Sequence, residues 1–284
     1  MTSCRVDLLA CFFTLGGQAR FGIGNDESPW DFRDRVEAAG RAGYTGFGIK
    51  HDDLVKTLGR YSHSDMRKIL DDNGLVHVEV EALLDWFATD TRRRASDIVR
   101  RDLLLAAEEL GAHRLKATGD FGSPPAARDI MRSAFADLAR QARDAGTTVA
   151  LEPIPFGNVT DLDTALYIIG DTAGKGGGLM LDTWHVTRCP IALADIAALP
   201  GDWIAGVELD DGTRAPVGEP LADTIDRRKL CGEGEFDIAG FIKAIESTGF
   251  KGPWGVEILS EEHRARDLEE AATRSFETSA AQFR

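Results

Sequence analysis

Apolar and polar residues alternate along this chain on two length scales. Short apolar runs of strand length recur, and each is followed by a longer segment whose apolar residues recur three and four apart. The stretch Val76 to Leu83 alternates strictly, with Val76, Val78, Val80 and Ala82 on one face and His77, Glu79 and Glu81 on the other. Such a polar face suits a barrel interior near a site, and equally a solvated strand. The segment before it, Ser64 to Asn73, predicts a helix with Met66, Ile69 and Leu70 as its stripe and Gly74 as its stop.

In order, the pattern predicts strands at Val6–Phe13, Thr45–Lys50, Val76–Leu83, Arg114–Thr118, Thr147–Leu151, the run from Gly177 to Asp182, Trp203–Leu209 and Pro253–Leu259. Helices are predicted at Asp31–Ala42, Ser64–Asn73, Thr91–Leu110, Ala126–Ala145, Leu162–Ile169, Ile191–Leu199, Ile238–Ser247 and from Glu261 to the end. Eight strand-then-helix units in 284 residues match an α/β protein of the (β/α)8 TIM-barrel type. An open doubly wound sheet is the competitor. No strand, however, runs into a GxGxxG opening a helix, and Gly22-Ile23-Gly24 and the glycines at 174 to 178 read as turns. No shift of composition marks a boundary, so residues 1–284 are expected to form one barrel domain. A loop of roughly twenty residues after the seventh strand, rich in Arg and Pro, is long enough to be functional.

Bulk composition narrows the partners. With 43% hydrophobic and 28% charged residues the chain has ordinary globular composition. Its formal net charge of −14 opposes nucleic-acid backbones and anionic membranes. No run approaches the roughly 18–20 apolar residues of a membrane span. Cys4, Cys11, Cys189 and Cys231 lack paired spacing and suit a reducing cytosol. Arg5 and Asp7 interrupt the first apolar stretch, so no signal peptide is visible and a cytoplasmic protein is expected.

The candidate chemistry lies where the strands end. In Gly177-Gly178-Leu179-Met180-Leu181-Asp182-Thr183-Trp184-His185-Val186 an apolar run stops at an acid, with an imidazole three residues on. Taken alone, Asp182 is as well read as a helix cap. Three other strands also end in or near an acid: the fifth at Glu152, the seventh near Glu208 and Asp210, the eighth near Glu257. A closed barrel gathers all strand ends at one mouth. Four like charges crowded there oppose one another, and a bound divalent cation resolves the conflict. Oxygen donors favour Mg²⁺ or Mn²⁺, and a nearby imidazole admits Co²⁺ or Zn²⁺.

These residues carry a resemblance. Leu151-Glu152-Pro153, Leu181-Asp182-Thr183-Trp184-His185, Val207-Glu208-Leu209-Asp210-Asp211, Gly232-Glu233-Gly234-Glu235-Phe236-Asp237 and Gly255-Val256-Glu257 resemble the xylose-isomerase-like TIM-barrel superfamily. That group includes sugar isomerases and epimerases, inosose and dehydroshikimate dehydratases, and endonuclease IV. The motifs cover about the last half of the chain and specify the superfamily better than any one activity. By resemblance to the ketose 3-epimerases, Glu152, Asp182, Glu208 and Glu257 become the metal ligands, and Glu152 and Glu257 the catalytic bases. The usual strand-seven imidazole is replaced by Glu208, which leaves Asp210 as an alternative third ligand. His185 matches a substrate-contacting histidine. Pairing of such barrels implies a homo-oligomer.

The activity implied is a metal-dependent isomerase or epimerase of a small sugar or polyol ketone, acting through an enediolate. The alternative is a lyase on a keto-polyol or keto-sugar, since the same enolate can expel a hydroxyl, with His185 as the acid. An endonuclease is disfavoured by six histidines in all and by the acidic balance. A non-catalytic sugar-binding barrel would keep the pocket without the metal. Further pocket candidates are His51, Glu81, Lys116, Trp184 and Arg227. Lys116 either neutralises an oxyanion or bridges Glu81. Trp184 and Trp86 either stack on a sugar or pack in the core. An Arg of the long loop, at 214, 227 or 228, would grip a carboxylate or phosphate as a fork. His63, His77, His113 and His263 carry no motif.

Overall fold

The computed structural model describes residues 6–22, 24, 26–122 and 125–283; Cys4, Arg5 and Ile23, used above, lie outside them. Eight parallel strands close into a barrel in chain order. They are β1 (Leu8–Ala10), β2 (Gly46–Lys50), β3 (His77–Leu83), β4 (Arg114–Thr118), β5 (Thr148–Glu152), β6 (Gly177–Asp182), β7 (Ile204–Leu209) and β8 (Trp254–Val256). β8 returns to pair with β1, Leu9 lying beside Gly255, so no edge is left open. The TIM-barrel expectation holds.

The two faces of the strands do different work. Outward residues such as Val78, Val80, Leu115, Val149, Leu179, Leu181 and Val207 form one buried apolar layer with the helix stripes. Met66, Ile69 and Leu70 on helix His63–Asp72 belong to it, as do Met131, Phe135 and Leu138 on Arg128–Asp144. Inward residues include long charged side chains, and glycines make room for them. A Cβ on Gly206 would stand 2.9 Å from Arg114 Cδ, and one on Gly255 would stand 2.7 Å from Glu208 Cγ. The alternation in β3 therefore has its barrel reading: Glu79 and Glu81 are buried inside. Val76 lies before the strand and is exposed.

Several boundaries differ from the sequence pattern. β1 is three residues long, because Phe12–Thr14 turns into a 3-10 helix. β8 also stops early, leaving Glu257 just beyond it. His51–Leu58 forms a helix the pattern did not reveal, and His51 opens it. The loop after β7 contains the helix Pro220–Asp226, and isolated bridges pin it, Asp211 to Lys229 and Arg227 to Ser260. The terminal helix is divided into Glu261–Arg264 and Leu268–Ala280. Among the described residues no helix is long and apolar enough to cross a membrane.

Candidate active site

Strand register sets the four acids at one level. Asp182 of β6 lies beside Glu208 of β7, and Glu208 lies beside Gly255, two residues before Glu257. On the other side Glu152 pairs with Thr118 at the end of β4. The result is a group in which one oxygen each of Glu152, Asp182, Glu208 and Glu257 all lie within 4.8 Å of one another, every residue being buried. Asp210 is not in this group. Its carboxylate is held by Arg228 and by the Thr183 hydroxyl, and its backbone N–H donates to Thr183 Oγ1 at 2.8 Å. Asp211 is likewise structural: it accepts from the backbone N–H groups of Gly212, Gly232, Gly234 and Phe236, and so shapes the Gly232–Asp237 motif.

Asp182 is a helix cap as well as a member of the group of four acids. Its Oδ1 accepts the backbone N–H of His185 at 2.9 Å and caps the short helix Thr183–Arg188. Its Oδ2 accepts from Arg228 Nη1 at 2.7 Å. The same Nη1 lies 3.2 Å from Glu257 Oε2, and Arg228 Nη2 donates to Thr224 Oγ1 at 3.0 Å. Lys116 is the second internal cation. Its Nζ stands 2.7 Å from Glu208 Oε1, 2.7 Å from Glu257 Oε1 and 2.9 Å from Glu81 Oε2. Lys116 thus does bridge Glu81, and it ties two of the four grouped acids as well. One layer deeper, Arg114 pairs with Glu79, and the Cys11 thiol donates to Glu208 Oε1 at 3.3 Å.

Two cations do not balance this cluster. Glu81, Glu152, Asp182, Glu208, Asp210 and Glu257 are six buried carboxylates around Lys116 and Arg228. Burial pushes the Glu152 carboxyl up to about 8; Lys116 opposes the rise, while Glu257 and Asp182 add to it. Burial also raises Glu208, with Glu257 next, and it raises Asp210, with Asp182 next. Glu152 Oε1 and Glu208 Oε2 are buried without a hydrogen-bond partner. A hard divalent ion supplies what is missing, positive charge for unpartnered oxygens, so the donor set fits one. The ion would share Glu208 and Glu257 with Lys116.

Other expected residues divide between the pocket and its surroundings. A cavity open at its mouth is lined by Glu81, Lys116, Glu152, His185, Arg228 and Glu257 at its polar end. His185 Nε2 is 3.6 Å from Glu152 Oε1 and 3.4 Å from Arg228 Nη2. Burial, then the Arg228 charge, holds its imidazole well below the usual range, so it is neutral. Trp184 is not part of the lining. It is buried behind the site, edge-on to His185 at 5.2 Å and 5.8 Å from the Arg228 guanidinium. Trp86 is a core aromatic that donates to the Thr118 carbonyl at 2.8 Å.

His51 lies outside this cavity, its Nε2 3.2 Å from Asp102, because the helix it opens faces Arg92–Leu110. Arg227 is exposed and also outside; its neighbour Arg228 is the arginine that enters. Bridges of Arg227 to Ser260 and of Lys229 to Asp211 fix the backbone on both sides of Arg228, whose side chain reaches Asp182. Pattern reading also missed the aromatic lining, Phe13, Phe21, Phe121 and Phe156, which comes from loops without periodicity.

Comparison with known proteins agrees with this geometry. Two curated relatives are 3-dehydroshikimate dehydratases of Pseudomonas aeruginosa and Pseudomonas putida. Each is 26% identical, over 245 and 250 residues, across 82% of this chain but only 37% and 36% of theirs. The chain thus spans little more than a third of the length of those relatives. Similar solved structures include the IolI protein with a bound zinc atom, at TM-score 0.82, 18% identity and 98% coverage of both chains. D-allulose 3-epimerase from Methylomonas sp. has TM-score 0.71 and 19% identity, again with 98% of both chains covered. At these identities the structures share the fold. The family model described as xylose isomerase-like TIM barrel matches residues 36–278. With most of its length inside that match and its strands closed in the same barrel, the chain belongs to the xylose isomerase-like TIM barrel family.

Proposed function

We propose that the chain is a divalent-metal-dependent isomerase or epimerase of a small sugar or polyol ketone. The observation that carries this reading is the convergence of Glu152, Asp182, Glu208 and Glu257, two of them with unpartnered buried oxygens, beside an open cavity that Glu152 and Glu257 line. The all-oxygen donor set favours Mn²⁺ or Mg²⁺. Such an ion, when bound, polarises a carbonyl and acidifies the adjacent C–H.

The chain's own residues handle the protons. One of Glu152 and Glu257, as carboxylate, takes a proton from the carbon beside the carbonyl, and the C–H electron pair moves toward the carbonyl oxygen. The other, as carboxylic acid, returns a proton to carbon from the opposite side, which inverts that centre. Glu257 is oriented by Lys116 and Arg228. Neutral His185 offers a hydrogen bond to a substrate oxygen.

A second reading is favoured by the two dehydratase relatives. After the same proton abstraction, a hydroxyl on the next carbon leaves with its bonding pair, takes a proton from Glu152 and departs as water, leaving a C=C bond. His185, beside Glu152, is the alternative donor for that proton.

The test is incubation with Mn²⁺ and a panel of ketoses and inososes in D₂O. Deuterium uptake at carbon is expected, and Glu152→Gln and Glu257→Gln should each abolish it. Full exchange in either variant rejects its role. Ultraviolet absorbance of a conjugated product, in place of an exchanged substrate, selects the dehydratase.

A further inference from the structure

The mouth of the cavity is chemically unlike its floor. Outside the charged cluster the lining is mostly apolar, with Lys50, Thr118 and Thr224 as its polar members. Phe13 and Phe21 follow β1 and meet edge to face at 6.2 Å. Phe121 follows β4 and Phe156 follows β5; they stack at 5.7 Å with 23° between their planes. Phe156 continues down to His185 at 6.5 Å. An aromatic wall therefore runs from the rim to the imidazole beside Glu152. In an eight-strand barrel β1 and β5 are diametrically opposed, so the two phenyl pairs flank a slot.

The wall on the β1 side packs apart from the main core. Phe12, Phe13, Ala19, Ile225 and Leu259 pack as a small cluster of their own, with Phe21 against it. The rim of the slot is left open to solvent: Phe121 is 44% and Leu221 44% exposed. A sugar or polyol with hydroxyls on every carbon has no partners for those that would face the phenyl walls, and a buried hydroxyl without a partner opposes binding. An apolar group in that position loses water and meets apolar surface.

We infer that the substrate is a hydroxylated ketone bearing an apolar substituent of aryl or short-alkyl size, with the polyol head on the carboxylate floor and the substituent between the phenyl walls. This deepens the proposed function and rests on it for the reacting head. Floor and walls line one cleft that opens to solvent. Phe121, Phe156 and Leu221 determine specificity by their position and do not touch the reacting atoms.

The inference is tested by calorimetry with two unreactive probes, phenyl β-D-glucopyranoside and methyl β-D-glucopyranoside, on the full chain with Mn²⁺. The phenyl glycoside is expected to bind at least about tenfold tighter. Phe121→Ala with Leu221→Ala, both at the exposed rim, should erase most of that difference and leave the methyl glycoside within about twofold. Equal affinities for the two probes, including no measurable binding of either, overturn the inference. So does a rim variant that keeps the full preference, or one that alters only the oligomeric mass. Equal affinities with deuterium exchange intact on bare ketoses reject the apolar substituent alone. A strong phenyl preference without exchange on any ketone rejects the proposed reaction alone.

Discussion

Replacing Lys116 by Met isolates the electrostatics of the candidate site. The side chain keeps nearly its length and its buried volume but loses the ammonium that touches Glu208, Glu257 and Glu81 at 2.7, 2.7 and 2.9 Å. Breaking a buried ion pair from one side costs about 3–5 kcal/mol. A second route gives the same size. The cluster can relieve itself by protonating one glutamate, and protonating a glutamate of ordinary pKa near 4.3 at pH 7 costs about 3.7 kcal/mol. Glu81 and Glu208 already have raised proton affinity, burial being the main cause, so the lower part of that range is expected. At roughly 2 °C per kcal/mol for a chain of this size, the melting temperature in EDTA should fall by about 6–8 °C. Urea unfolding in EDTA at pH 7 measures the free energy directly. Added Mn²⁺ should stabilise Lys116→Met more than the unmodified chain, because the ion takes over the missing charge and gains Glu208 and Glu257 without competition. A variant within about 1 kcal/mol of the parent in EDTA, or one that gains no more from Mn²⁺, would refute the charge deficit on which the metal fit rests.

Two further outcomes follow from residues away from the proton chemistry. Gly255→Ala should weaken Mn²⁺ binding at least about tenfold by titration, since its Cβ would strike Glu208 Cγ at 2.7 Å and Cys11 Sγ at 3.0 Å; unchanged affinity would mean that Glu208 is not a ligand. His263 is buried, donates from Nε2 to the Thr14 carbonyl at 2.9 Å, and is pushed by burial down to about 4. The unfolded chain takes that proton from about pH 6.5 downward and the fold only near 4, so stability is full above 6.5 and falls as pH drops through this window. The parent should therefore lose roughly 2–3 kcal/mol more than His263→Gln between pH 7.5 and 4.5, and equal losses in urea unfolding would discount the histidine.

The chain's linear pattern determined the barrel and the four acids. Strand-length apolar runs are local features, four of them with an acid at or near the end, and eight such runs leave closure as the arrangement that buries every outward face. Once the barrel is closed, the strand ends bring Glu152, Asp182 and Glu208 together, with Glu257 one residue past the end of β8. Four matters depended on three-dimensional packing. Arg228 rather than Arg227 faces the acids, its backbone fixed on both sides by bridges to the distant residues Ser260 and Asp211. Trp184 supports the site from behind, since Asp182 caps its helix and turns His185 to the cavity instead. His51 is drawn to Asp102 by a helix too short to announce itself by periodicity. The phenyl walls come from loops separated by more than a hundred residues, whose meeting no local pattern encodes. A side chain's element can be read from its neighbours in sequence, but which side of a loop it faces is set by contacts between distant segments.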